Sequence, residues 1–86
     1  MLRITHLEEL TEQYSKGDRY FQYCYFEYNG SNFEKANLSK ADLEGAVLKG
    51  ANLKDANLYQ AKITNTDFTD AIFCNTIMPN GSIRNN

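Results

Sequence analysis

The chain has 86 residues and a net charge of −2, with both signs mixed along it. That suits one small domain and offers neither a basic patch for nucleic acid nor a run of like charge. No apolar run approaches the ~18 residues of a bilayer span, and Met1 to Glu9 lacks the apolar core of a signal peptide, so the expectation is a cytoplasmic protein without membrane contact.

The first predicted element is a short amphipathic helix over residues 6–16. Thr5 and Glu8 have the spacing of a capping box. Leu7, Leu10 and Tyr14 recur at helical intervals, and Glu8, Glu9 and Glu12 lie opposite or early, where acids suit the helix dipole. Gly17 reads as the C-terminal stop. Such a helix is too short to stand alone in water, so it is expected to lie over whatever follows it.

An aromatic stretch comes next. Phe21 and Phe26 are five apart, and Cys24 precedes Phe26 by two; Tyr20, Tyr23, Tyr25 and Tyr28 are interleaved.

From Ser31 to Met78 the period is strict. Every fifth residue is large and apolar: Phe33, Leu38, Leu43, Leu48, Leu53, Leu58, Ile63, Phe68, Phe73 and Met78. Two residues before each stands a small one: Ser31, Ala36, Ala41, Ala46, Ala51, Ala56, Ala61, Thr66, Ala71 and Thr76. A helix would wind a five-residue stripe around its cylinder, since 3.6 does not divide five. Two apart, however, is the same face of an extended segment. Each unit is therefore a short extended piece followed by a bend, with its small and large residues pointing inward. Asn37, Asp42, Asn52, Asn57 and Asp67 fall between the inward positions, where short polar side chains bond neighbouring backbone in turns. Val47 and Ile72 break that rule and read as harmless single apolar residues on the outside.

The run A-N-L-S-K, A-D-L-E-G, A-V-L-K-G, A-N-L-K-D, A-N-L-Y-Q resembles the pentapeptide repeat family, whose motif is A-(D/N)-L-x-x. The resemblance spans roughly 50–60 residues in ten consecutive units. It implies an all-β solenoid, a right-handed quadrilateral β-helix of about three coils with a short N-terminal capping α-helix. The domain plan that follows is a single repeat domain over 1–86: capping helix 5–17, repeat coils 20–78, C-terminal turn and tail 79–86. Four units per coil would stack each residue on the one twenty positions later, giving interior ladders Phe33–Leu53–Phe73, Leu38–Leu58–Met78, Leu43–Ile63 and Leu48–Phe68.

Counting back from Phe33 by fives puts Phe26 and Phe21 at the small position, where they would not fit. A register shifted by two makes both large inward residues and Cys24 a small one. The surplus pair is then absorbed near Asn29-Gly30, a strong turn dipeptide. On the family geometry Cys24 and Cys74 are ~10 Å or more apart, at ~4.8 Å per coil. A disulfide needs Cα atoms within about 7 Å, so free thiols are expected, Cys24 inward and Cys74 outward. At the other end Pro79-Asn80-Gly81 reads as a turn, after which Ile83 would fold back over Ile77 or Met78.

No constellation for chemistry emerges. His6 has no nucleophile at a recognisable spacing, and one His with two distant Cys makes no zinc site. Asp42 and Glu44 read as a solvated face beside Lys40 and Lys49, and Gly45 and Gly50 as bend residues rather than a phosphate loop. The expectation is no enzyme, no cofactor and no metal. What remains is a non-catalytic protein-interaction or scaffold module with an unidentified protein partner, either monomeric or a weak end-to-end homodimer. The candidate partner-binding residues are Tyr20, Tyr23, Tyr25, Tyr28 and Tyr59, since tyrosine is favoured at interfaces. The competing reading, favoured here, packs the first four rings beneath the helix and its connection.

An alternative implied by the resemblance is a DNA mimic acting on gyrase. Three coils stack to about 15 Å, and duplex DNA of that length carries roughly eight or nine charges. Residues 31–78 hold six acidic side chains against five basic ones, a net −1, so this alternative is disfavoured.

Overall fold

The computed structural model describes the backbone of residues 7–25 and 32–86, and side chains from Glu9 onward within those ranges. Helix α1 spans Leu7–Ser15. Two short strands, β1 (Thr76–Ile77) and β2 (Ile83–Arg84), lie near the other end. Between them the chain is built from isolated parallel bridges, one per unit: Asn32↔Asn52, Asn37↔Asn57, Asp42↔Lys62, Val47↔Asp67, Asn52↔Ile72 and Asn57↔Ile77. Every one is twenty residues apart, so four five-residue units complete one turn of the winding. Regular strands do not form because each side of the coil is only three residues long before the next bend.

The bends have one construction. Ala36 N–H donates to the Phe33 carbonyl at 2.9 Å, and the same bond recurs at Ala41, Ala46, Ala51, Ala56, Ala61, Thr66 and Ala71. The residue before each of these donors has positive φ: Lys35 (63°), Lys40 (63°), Gly45 (70°), Gly50 (70°), Asp55 (60°), Gln60 (62°), Asn65 (57°) and Asp70 (60°). A positive φ at the third residue of a four-residue turn is the type II signature. Non-glycine residues enter this region at a cost of roughly 1–2 kcal/mol. Four of them are held there by a ladder bond as well as the turn: Lys35 N–H reaches the Lys54 carbonyl, Lys40 the Tyr59 carbonyl, Asp55 the Cys74 carbonyl and Gln60 the Pro79 carbonyl, at 2.8–2.9 Å.

The Asn and Asp between the inward positions brace the bends. The Oδ1 atoms of Asn32, Asn37, Asp42, Asn52, Asn57 and Asp67 each accept the N–H two residues on, at 2.9–3.1 Å. This is the local bonding expected of short polar side chains in turns.

The core is the two inward columns. Phe33, Leu38, Leu43, Leu48, Leu53 and Leu58 are fully buried, as are Ala41, Ala46, Ala51 and Ala56. Thr76 takes a small position deep in the core, and its hydroxyl donates to the Leu53 carbonyl at 2.7 Å. Thr66 does the same to Leu43, also at 2.7 Å. Threonine is accommodated in a small column because its hydroxyl finds a carbonyl on the preceding coil. Ile63, Phe68, Ala71 and Met78 are only partly buried, so the inward columns are less well covered as the winding ends.

At the start of the winding the spacing changes. Tyr20 bridges Asp42 and Tyr25 bridges Val47, twenty-two residues apart rather than twenty. Phe21 and Cys24 are buried, as the shifted register requires, and Cys24 forms no disulfide. Phe26 and Asn29-Gly30 lie outside the described residues, as do Thr5, His6 and Tyr28.

Helix α1 ends at Gly17, whose φ is +96°. Gly17 N–H donates to the Tyr14 carbonyl at 3.0 Å, and Asp18 N–H to that of Gln13 at 3.1 Å. This paired bonding is a Schellman motif. Leu10 is buried within the core cluster, and the Tyr14 hydroxyl donates to the Ser39 carbonyl at 2.8 Å. Arg19 stacks on the Tyr14 ring at 3.5 Å and donates to the Tyr14 carbonyl at 2.8 Å, fixing the turn between helix and coil.

The tail makes a hairpin. Gly81 N–H closes the Met78-Pro79-Asn80-Gly81 turn on the Met78 carbonyl at 2.8 Å. β2 then pairs antiparallel with β1, Ile77 opposite Ile83 and Thr76 opposite Arg84. The backbone folds back as the turn implies, but the Ile83 side chain is 51% exposed. Arg84 does the covering instead, its guanidinium 3.9 Å from the centre of the Phe73 ring.

Candidate functional site

Three of the candidate tyrosines lie on the first stretch of winding. Tyr20 is 72% exposed, Tyr23 54% and Tyr25 45%. Tyr20 sits beside Asp42 and Tyr25 beside Val47 on successive sides, and Tyr23 (φ 60°) occupies the corner between them. These exposures run against the expectation that Tyr20, Tyr23 and Tyr25 pack beneath the helix and its connection; Tyr28, the fourth ring of that expectation, lies outside the described residues. The helix brings its own ring to the coil, Tyr14, and its hydroxyl reaches Ser39. Tyr20, Tyr23 and Tyr25 each keep part of their surface open to solvent.

The Tyr23 ring has a defined seat. It lies over Gly45 on the next coil, so closely that a Cβ at Gly45 would fall 2.3 Å from Tyr23 Cε1. The neighbouring polar groups are ordered too: Gln22 Nε2 donates to Asp42 Oδ2 at 2.9 Å. Tyr59, 45% exposed, stands at a different corner, where its ring lies near Gly81, and it is not part of this group. Val47, expected on the outside, is half-buried in its bridge to Tyr25, whereas Ile72 is 54% exposed. The placing of a glycine under Tyr23 was a signal the sequence did carry, in the twenty-two-residue offset between them, but it is visible only once the register shift is accepted.

Electrostatics add little. Hydrogen bonds from the Thr69 hydroxyl (2.6 Å) and backbone N–H (2.9 Å) hold the Asp67 carboxyl below its ordinary pKa, with Lys49 assisting. Cys74 is exposed and free. Among the described residues, no group of three or more His, Cys, Asp or Glu side chains is placed to hold a metal ion. Among the same residues, no helix is long and apolar enough to cross a membrane. A hollow of about 330 Å³ lies between α1 and the coil, bordered by Leu10, Thr11, Tyr14, Ser15, Lys35 and Asn37; the Ser15 hydroxyl donates to the Glu12 carbonyl of its own helix at 2.7 Å.

The family model for pentapeptide repeats matches residues 29–65 and 51–85, in eight copies. The chain belongs to the pentapeptide repeat family. Pentapeptide repeat proteins form right-handed quadrilateral β-helices and are generally non-enzymatic structural or interaction modules. Among solved structures, the chain is similar to HetL, a pentapeptide repeat protein involved in heterocyst differentiation regulation from the cyanobacterium Nostoc sp. strain PCC 7120. The identity is 30% over 76% of this chain, with a TM-score of 0.37. The chain spans 34% of the length of HetL. No curated protein matches it.

Proposed function

We propose that this pentapeptide repeat chain is a non-catalytic protein-interaction module that docks a protein partner on Tyr20, Tyr23 and Tyr25. In this reading about three coils form a rigid prism, α1 covers its first coil, and the module works in the cytoplasm without binding nucleic acid or membrane. The supporting observation is the exposure of three consecutive tyrosines on a coil whose interior is filled, with one ring seated against Gly45. Large aromatic side chains held on a rigid backbone bind with little ordering cost, and tyrosine is among the residues that dominate interface energetics.

The test is capture from the native host with the immobilised chain, against a Tyr20→Ser, Tyr23→Ser, Tyr25→Ser variant of unchanged helical and coil signal. A partner retained by the parent and lost by the variant is the expected outcome. Equal retention by both removes the tyrosine face from consideration.

A further inference from the structure

The corner that carries Tyr23 also holds a carboxylate without a partner. Tyr20 bridges Asp42, so Gln22 stands over Glu44 and Tyr23 over Gly45. Tyr23 N–H donates to the Glu44 carbonyl at 2.8 Å, and Glu44 N–H donates to Asp42 Oδ1 at 3.1 Å. The Glu44 backbone is therefore engaged on both sides. Its side chain is not: among the described residues no hydrogen bond or ion pair reaches the Glu44 carboxylate, although the residue is half-buried. Asp42 differs, since both of its oxygens accept bonds, Oδ1 from Glu44 N–H and Oδ2 from Gln22 Nε2. The cations of this region do not neutralise the corner. Arg19 stacks on Tyr14, Lys40 stands at the preceding corner, and Lys62 lies on the far side of Asp42 in the ladder, without an ion pair to either acid.

The ring beside this carboxylate is held in place. Tyr23 lies over Gly45, the residue next to Glu44, and stays 54% exposed. An ordered ring next to a free carboxylate suits one side chain above the others. Arginine is planar and always charged, stacks on aromatic faces and forks two N–H groups onto a carboxylate. Lysine brings a compact, strongly hydrated point charge without that fork. The chain makes the stacking half of this contact twice within itself, Arg19 on Tyr14 at 3.5 Å and Arg84 on Phe73 at 3.9 Å.

We propose that Tyr23 and Glu44 form a seat for an arginine of the partner protein, its guanidinium stacked on the Tyr23 ring and hydrogen-bonded to the Glu44 carboxylate. The inference rests on the reading that a partner docks on the tyrosines, and it names the chemistry of that partner: a protein segment that presents an exposed arginine. Tyr20 and Tyr25, on the two sides that meet at this corner, supply apolar area around the ion pair and keep water from it. A guanidinium arriving here meets a carboxylate that has already lost part of its hydration and has no internal cation to release. Pairing therefore breaks no existing contact, and charge complementarity selects the partner.

The test is NMR titration of the full chain with an end-blocked peptide carrying one arginine among glycines, beside the same peptide with lysine in its place. The expected result is saturable shifts at the Tyr23, Glu44 and Gly45 amides with the arginine peptide, and several-fold weaker binding of the lysine peptide. Glu44→Gln spares the turn, which uses only the Glu44 backbone, and should weaken the arginine peptide about tenfold or more. Tyr23→Leu keeps apolar bulk without the ring and should weaken it about two- to fivefold. Absent shifts overturn the proposal, as do arginine and lysine peptides that bind alike, or a folded Glu44→Gln that binds as tightly as the parent. Should that variant fail to fold, the arginine–lysine comparison on the parent decides alone. The capture experiment separates this inference from the docking reading: a partner lost by the triple-serine variant yet fully retained by Glu44→Gln leaves the tyrosine face standing and removes the arginine seat.

Discussion

The seat of Tyr23 on Gly45 makes a quantitative prediction. Gly45 has φ +70°, and a methyl there would meet Tyr23 Cδ1 at 2.4 Å and Cε1 at 2.3 Å. Gly45→Ala thus carries two separable costs. Placing an alanine in the left-handed region costs about 1–2 kcal/mol, offset by roughly 0.4–1 kcal/mol from a stiffer unfolded chain. Displacing the ring adds about 0.5–1.5 kcal/mol if it leaves its rotamer well. The single mutant should lose about 0.5–3 kcal/mol. In a Tyr23→Ala background only the backbone part remains, about 0–1.6 kcal/mol. Urea denaturation of the four proteins of the cycle measures the difference. Two substitutions that add to within about 0.3–0.5 kcal/mol would show that the ring does not rest on Gly45, and the claim of a pre-set tyrosine corner would fail with it.

Three further outcomes follow from the same structure. Ala51→Leu forces a second large side chain into a fully buried small column and should cost about 1–3 kcal/mol in chemical denaturation. Thr76→Val removes the donor to the Leu53 carbonyl and the acceptor for Cys74 N–H. The Leu53 carbonyl keeps its bond from Ala56 N–H, so the cost is that of the lost hydroxyl bonds, about 0.5–1.5 kcal/mol each, visible as a lower thermal midpoint. Asp67 has a lowered carboxyl pKa, so its contribution is present above the unfolded pKa and is lost as pH falls through the folded one. Thr69→Val, which removes the leading cause, should move the Asp67 pKa up toward the ordinary carboxylate range in an NMR titration; an unmoved value would assign the shift to Lys49 and the backbone instead.

The middle of the fold was open to reading from the sequence because one rule governs it. Small and large inward residues two apart and a five-residue period leave a single arrangement in which Leu38, Leu43, Leu48, Leu53 and Leu58 are all dry, and they are. The shift at Phe21 and Cys24 was legible for the same reason, since a phenylalanine in a small column is a steric contradiction. The ends obey no such rule. The pattern runs on unchanged through Ile63, Phe68 and Met78, yet these are only partly buried, so their partial exposure has no counterpart in the spacing. Likewise the choice between Tyr14 and the later tyrosines as the ring packed against the coil depends on the angle at which α1 arrives. That angle is set by the Gly17 stop and the Arg19 stack, contacts too local to be ranked in advance. Tyr59 illustrates a third limit: its spacing gives a corner position, but not its distance from the other rings.

The passage from twenty-two to twenty residues per turn, between Tyr25 and Asn32, says how this architecture tolerates growth. In extended chain, facing alternates with every residue, so a pair of added residues returns each downstream side chain to its original orientation. A single added residue would turn the apolar columns outward. Length variants of this solenoid should therefore arise by even steps at a corner, or by whole units of five, and a lone insertion within residues 33–58 should abolish folding.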